Sequence, residues 1–104
     1  MYAVIFEVDV KEENIDEYLA IAAELKKELV HIDGFISIER FESLVTPGKL
    51  LSLSFWENEA AIITWKRNTL HKEAQMKGRA SIFNDYRIRV AQVERDYTLN
   101  TSSL

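Results

Sequence analysis

A chain of 104 residues is long enough for one domain with a single core and one modest pocket. Its net charge of −4 argues against a nucleic-acid partner, which is ordinarily met by a basic stripe. There is no cysteine, which excludes disulfides, thiolate nucleophiles and cysteine metal sites. The two histidines, His31 and His71, lie too far apart in the chain to suggest a histidine metal site.

Residues 2–10 alternate, with Tyr2, Val4, Phe6, Val8 and Val10 on one side and Glu7 and Asp9 on the other, the pattern of a half-buried strand. The segment has no basic leader and reaches Glu7 after a short apolar run, so it reads as neither a signal peptide nor a membrane span, and a cytoplasmic location is expected. Asn14 is expected to start a helix, with Glu17 as its capping-box partner. Ile15, Leu19, Ala22, Leu25 or Lys26, and Leu29 form the expected buried stripe. Gly34 is placed to end this helix region in the left-handed conformation.

Residues 35–42 read as a second strand and 50–56 as a third. Thr46-Pro47-Gly48-Lys49 makes the turn between them. Asn58 to Lys66 is expected to be helical, with a break at Asn68-Thr69 and a second helical piece over 69–77. Residues 84–97 read as a last, long strand and 98–104 as a polar tail. The order β-α-β-β-α-β predicts an α+β, ferredoxin-like antiparallel sheet with both helices on one face. Ile5, Leu50 and Trp56 fall in one alternation set of their strands, and Leu51, Leu53 and Phe55 in the other. Both sheet faces therefore carry apolar side chains, and the face away from the helices is expected to pack on a second copy in a homodimer.

The element order, the Asp33-Gly34-Phe35 entry into the second strand, the passage FWENEAAIITW and His71 six residues after Trp65 resemble the antibiotic biosynthesis monooxygenase family over residues 1–97. The resemblance implies dimers of ferredoxin-like subunits, each with a pocket between helices and sheet. It also implies one of two chemistries. The first oxygenates an aromatic or quinone-like small molecule without a cofactor. The second degrades heme with an asparagine on the first strand, a tryptophan on the second helical region and a histidine ten residues beyond it. Trp65 fits that tryptophan. Gln75 stands where the histidine would be and Glu7 where the asparagine would be, so heme degradation of that type is not expected.

Cofactor-free oxygenation asks a protein for an apolar pocket, a base or hydrogen-bond partner for the substrate anion, and exclusion of water. His71 is the candidate base, because imidazole titrates near neutral pH. Trp65, Phe55 and Phe83 are candidate pocket walls, and Arg79 or Asn84 candidate hydrogen-bond partners for a substrate oxygen. Trp65 also has the spacing of a core residue beside Ala61 and Ile62. Glu7 and Asp9 read as a solvated strand face, and Arg87 and Arg89 as partners for acids such as Glu39 or Glu42. The three glycines lie at separate turns, which leaves no phosphate loop. The alternative function is a non-catalytic dimeric module that binds a small hydrophobic ligand or only assembles.

Overall fold

The computed structural model describes the backbone of residues 1–75 and 83–101, and the side chains of these residues except 69–75 and 83. The architecture is α+β. Strand β1 (Tyr2–Val10) leads through a short 3-10 turn (Glu12–Asn14) into helix α1 (Ile15–Leu29). Strands β2 (Phe35–Glu42) and β3 (Lys49–Trp56), helix α2 (Glu59–Gln75) and strand β4 (Phe83–Gln92) follow. The four strands form one antiparallel sheet in the order β2-β3-β1-β4. This is the ferredoxin-like arrangement expected from the element order.

Turn chemistry fixes the ends of these elements. Gly48 has φ 80° in the β2–β3 turn, and the Lys49 N–H reaches the Thr46 carbonyl at 3.3 Å. Ser43 Oγ accepts from the N–H groups of Val45 and Thr46 at 3.1 and 2.9 Å. Asn58 caps α2, its Oδ1 accepting the Ala61 N–H at 2.9 Å. Gly34 has φ 94°, and the Glu57 N–H donates to its carbonyl at 2.7 Å. A Cβ at Gly34 would meet the Ala61 Cβ at 3.0 Å. Only glycine fits where the α1–β2 and β3–α2 connections cross.

Several local expectations are corrected. The helix α2 runs unbroken through Asn68 and Thr69, because neither residue removes a backbone hydrogen bond as proline would. Leu19 is exposed, and the buried stripe of α1 runs through Tyr18, Ala22 and Leu29. The Asn14 side chain makes no bond to the helix backbone. Its Nδ2 instead donates to Glu17 Oε2 at 3.3 Å. The last strand ends at Gln92, and the chain beyond continues with the Val93 N–H bonded to the Met1 carbonyl.

Register then assigns the faces. Tyr2, Val4, Phe6 and Val8 pair with Trp56, Ser54, Ser52 and Leu50, and all eight look toward the helices. Ile5 pairs with Leu53, so it belongs with Leu51 and Phe55 on the outer face rather than with Leu50 and Trp56. This outer face is apolar as anticipated: Ile5, Leu51, Leu53 and Phe55 are half-buried, and Phe41 is exposed.

Candidate functional site

Among the described residues, the helix-covered side of the sheet carries two apolar clusters. One gathers Val4, Leu29, Trp56, Ala61, Ile62 and Trp65, with Phe35 and Ile38 packed against it. Its rings make close aromatic contacts, Trp56 to Trp65 at 6.2 Å and Phe35 to Trp56 at 5.2 Å. The other gathers Val8, Val10 and Tyr18, with Phe6, Ile15, Ile21 and Leu50 against it. Between them one row of the sheet has mixed chemistry. Arg40 pairs with Ser52, Ser52 with Phe6, and Phe6 with Ile88. The row spans β2, β3, β1 and β4, so Arg40 and Phe6 are about 10 Å apart across two strand spacings.

Ser52 and Ser54 are buried at 7% and 2% exposure in the centre of the sheet. Ser54 Oγ accepts the Trp56 indole N–H at 2.9 Å, which satisfies a buried donor and fixes the ring. The short serine side chains also leave more room between sheet and helices than an aliphatic pair would. At the edge of the sheet, Tyr86 meets Phe6 edge-on with centroids 5.8 Å apart, and Tyr86, Ile88 and Val90 present an exposed apolar flank on β4.

Tyr18 reaches from α1 to Arg40 on β2 and shares a side-chain hydrogen bond with it. Burial pushes the Tyr18 phenol above its ordinary value, and the adjacent Arg40 guanidinium opposes this without overcoming it. The phenol therefore keeps its proton at neutral pH.

Among the described residues, the expected site residues Trp65, Phe55 and Asn84 do not converge. Trp65 is 8% exposed and belongs to the core cluster. Phe55 pairs with Ala3 and projects from the outer face, so it shares no pocket with Trp65. Asn84 is exposed near the start of β4, beside the Val10 end of β1. Val4, which packs with Trp65, is six residues away along that strand, a separation of about 20 Å. His71 lies on α2 and Phe83 opens β4, but their side chains are outside the described residues, as is the whole of Arg79. Glu7 also sits on the outer face, where Arg89 Nη1 and Lys49 Nζ approach its Oε2 at 3.4 and 3.9 Å. It is therefore not the first-strand residue that faces the helices; Phe6 and Val8 are. Arg89 pairs with Glu7 rather than with Glu39 or Glu42, because β4 lies beside β1 and not beside β2. Arg40, Tyr18 and the two serines were not singled out by sequence. The only available signal was the alternation of serine with leucine and phenylalanine in LLSLSFW.

A family model for antibiotic biosynthesis monooxygenases matches residues 1–77. The chain belongs to the antibiotic biosynthesis monooxygenase family. It is 47% identical over 93 residues to the jasmonate monooxygenase ABM of Pyricularia oryzae, covering 89% of this chain and 43% of that protein. The chain thus spans less than half the length of this relative. It is 34% identical over 94 residues to the uncharacterised protein YqjZ of Bacillus subtilis, covering 90% of this chain and 80% of that one. Among solved structures, it resembles a Deinococcus radiodurans protein ascribed to the same family, with a TM-score of 0.79 at 16% identity, covering 95% and 98% of the two chains. It also resembles the heme-degrader MhuD of Mycobacterium tuberculosis, with a TM-score of 0.69 at 14% identity, covering 94% and 100%. At such identities the structural likenesses establish the fold, and the family's ferredoxin-like subunit is the one described above.

Proposed function

We propose that this family member is a monooxygenase acting on a small cyclic molecule with an acidified C–H or O–H, such as a cyclic ketone or a quinol, held on the helix-covered side of the sheet. The observation that carries this reading is the 47% identity to a jasmonate monooxygenase over 89% of the chain. Jasmonate is a cyclopentanone with a carboxymethyl arm. Its ring C–H bonds beside the ketone are acidified, as are the methylene C–H bonds of cyclic aromatic ketones, whereas a quinol is acidic at its O–H. Removal of such a proton leaves an enolate, which reduces dioxygen and combines with it to give a hydroperoxide. Loss of water then converts the ring methylene to a carbonyl, so that one methylene group and one dioxygen become one carbonyl group and one water. All the electrons come from the substrate, and this route uses neither metal nor flavin.

His71 is the proposed base, a role worth on the order of 10²-fold in rate. The apolar clusters around the Arg40–Ser52–Phe6–Ile88 row supply walls that keep water from the anion. The outer face, with Ile5, Leu51, Leu53 and Phe55, is the proposed seat of a second copy. One observation favours the non-catalytic reading. Trp65 fills the core against Trp56 and does not stand on an open wall.

Oxygen uptake with jasmonic acid and a panel of quinols decides between the two readings. The enzyme reading expects uptake and a product with one oxygen gained and two hydrogens lost. His71→Ala should then be about 10²-fold slower. Tight binding of these compounds without oxygen uptake would support the non-catalytic module.

A further inference from the structure

We propose that Arg40, assisted by Tyr18, is an oxyanion-binding site on the helix-covered side of the sheet and takes the carboxylate, or the enolate oxygen, of the small molecule bound there. The placement in one pocket rests on the function proposed above, but the anion site stands on its own geometry. Arg40 is half-buried in the mixed row between the two apolar clusters. Its Nε is buried and has no hydrogen-bond partner. Among the described residues no carboxylate forms an ion pair with it, whereas Glu7, on the outer face of the same sheet, holds both Arg89 and Lys49.

A guanidinium N–H that is buried without an acceptor is costly, and an anion bound beside it would supply one. Arginine suits this role because its planar fork matches the two oxygens of a carboxylate. The partner on α1 fits the same ligand. The protonated phenol of Tyr18 gives the site a neutral O–H donor beside the cation. Ser52, next to Arg40 in register, is too short to fill the space an apolar residue would occupy. The ligand class is a small cyclic or aromatic acid whose ring lies toward Phe6 and whose anionic end meets Arg40.

The test compares 2-cyclopentylacetate with its neutral primary amide on the intact protein. Nitrogen-15 spectra follow the arginine Nε–Hε groups during titration, with the Arg40 signal identified by its loss in Arg40→Lys. The expected result is a shift of that signal by the acid and none by the amide, with the acid bound about tenfold more tightly. Arg40→Met should abolish the preference with the fold retained, because it removes the cation that meets the carboxylate. A lower melting temperature together with an undiminished preference for the acid would make Arg40 a structural residue and overturn the proposal. Equal affinity of the parent for acid and amide, with an unmoved Arg40 signal, would overturn it even if no variant folds. Jasmonic acid and oxygen uptake form the second arm. Anion-dependent binding without uptake retains the Arg40 site and sinks the monooxygenase reading. Uptake that is indifferent to Arg40→Met does the reverse.

Discussion

Tyr18 shows how a single buried group ties stability to pH. Burial raises its phenol above the ordinary value of 10.0. In the unfolded chain the phenol ionises near that ordinary value, while in the fold it holds its proton. Above pH 10 the unfolded state therefore binds fewer protons, and stability contributed by the neutral phenol is lost as pH rises further. Urea unfolding of the parent between pH 8 and 11 should show this loss, and Tyr18→Phe should lessen it. The same pH slope in both proteins would remove Tyr18 as its source. Trp65 makes a different residue-scale prediction. Because it is buried against Trp56, Trp65→Ala should lower stability by about 3–5 kcal/mol through the cavity it leaves. A chemical denaturation midpoint close to the parent's would show that the ring lines an open pocket instead.

The junction of elements at Gly34 controls how α2 sits on the sheet. The backbone there is left-handed, and the first turn of α2 approaches within 3.0 Å of where a Cβ would stand. Gly34→Ala should cost about 1–2 kcal/mol from backbone conformation alone, and the contact with Ala61 adds to it. A melting temperature unchanged from the parent would mean that α2 can shift away without penalty. The junction matters to function because α2 carries Trp65 and His71 on one continuous helix. A break at Asn68-Thr69 would let the His71 turn reorient independently, and the unbroken helix couples the two.

At the scale of the whole molecule, two apolar regions stand out among the described residues. One is the outer face around Leu53, and the other is the flank of Tyr86, Ile88 and Val90 on β4. A second copy on the outer face would cover the first, and light scattering should then give about twice the mass of one chain. Leu53→Glu should convert that species to a monomer with its helix signal retained. A parent protein that is monomeric at micromolar concentration would dispose of the dimer. Gln75 and the outward-facing Glu7 differ from the residues that the family resemblance implies for heme degradation. Hemin titration should yield no stoichiometric histidine-ligated Soret band that bleaches on reduction to an open-chain product. Such a band would overturn this expectation. Among the described residues, no helix is long and apolar enough to cross a membrane.

Much of the architecture was legible in the chain because it depends on local chemistry. The bounds of β1 and β2, the Pro47-Gly48 turn and the glycine at position 34 all follow from period-two alternation and from residues with special backbone properties. Those elements in that order determine the ferredoxin-like sheet, and with the LSFWENEAAIITW segment they determine the family. Alternation also sorts side chains within one strand, but it says nothing about which set of one strand shares a face with which set of the next. Only the pairing register decides that. Register moved Ile5 to the side of Leu53, turned Glu7 and Phe55 away from the helices, and gave Arg89 the partner Glu7. It also aligned Arg40 with Ser52 and Phe6, and the packing of α1 brought Tyr18 to that row. A cation from β2 and a phenol from α1 have no shared periodicity in the sequence. Their meeting is a property of the tertiary structure, because it exists only once helix and sheet are packed together.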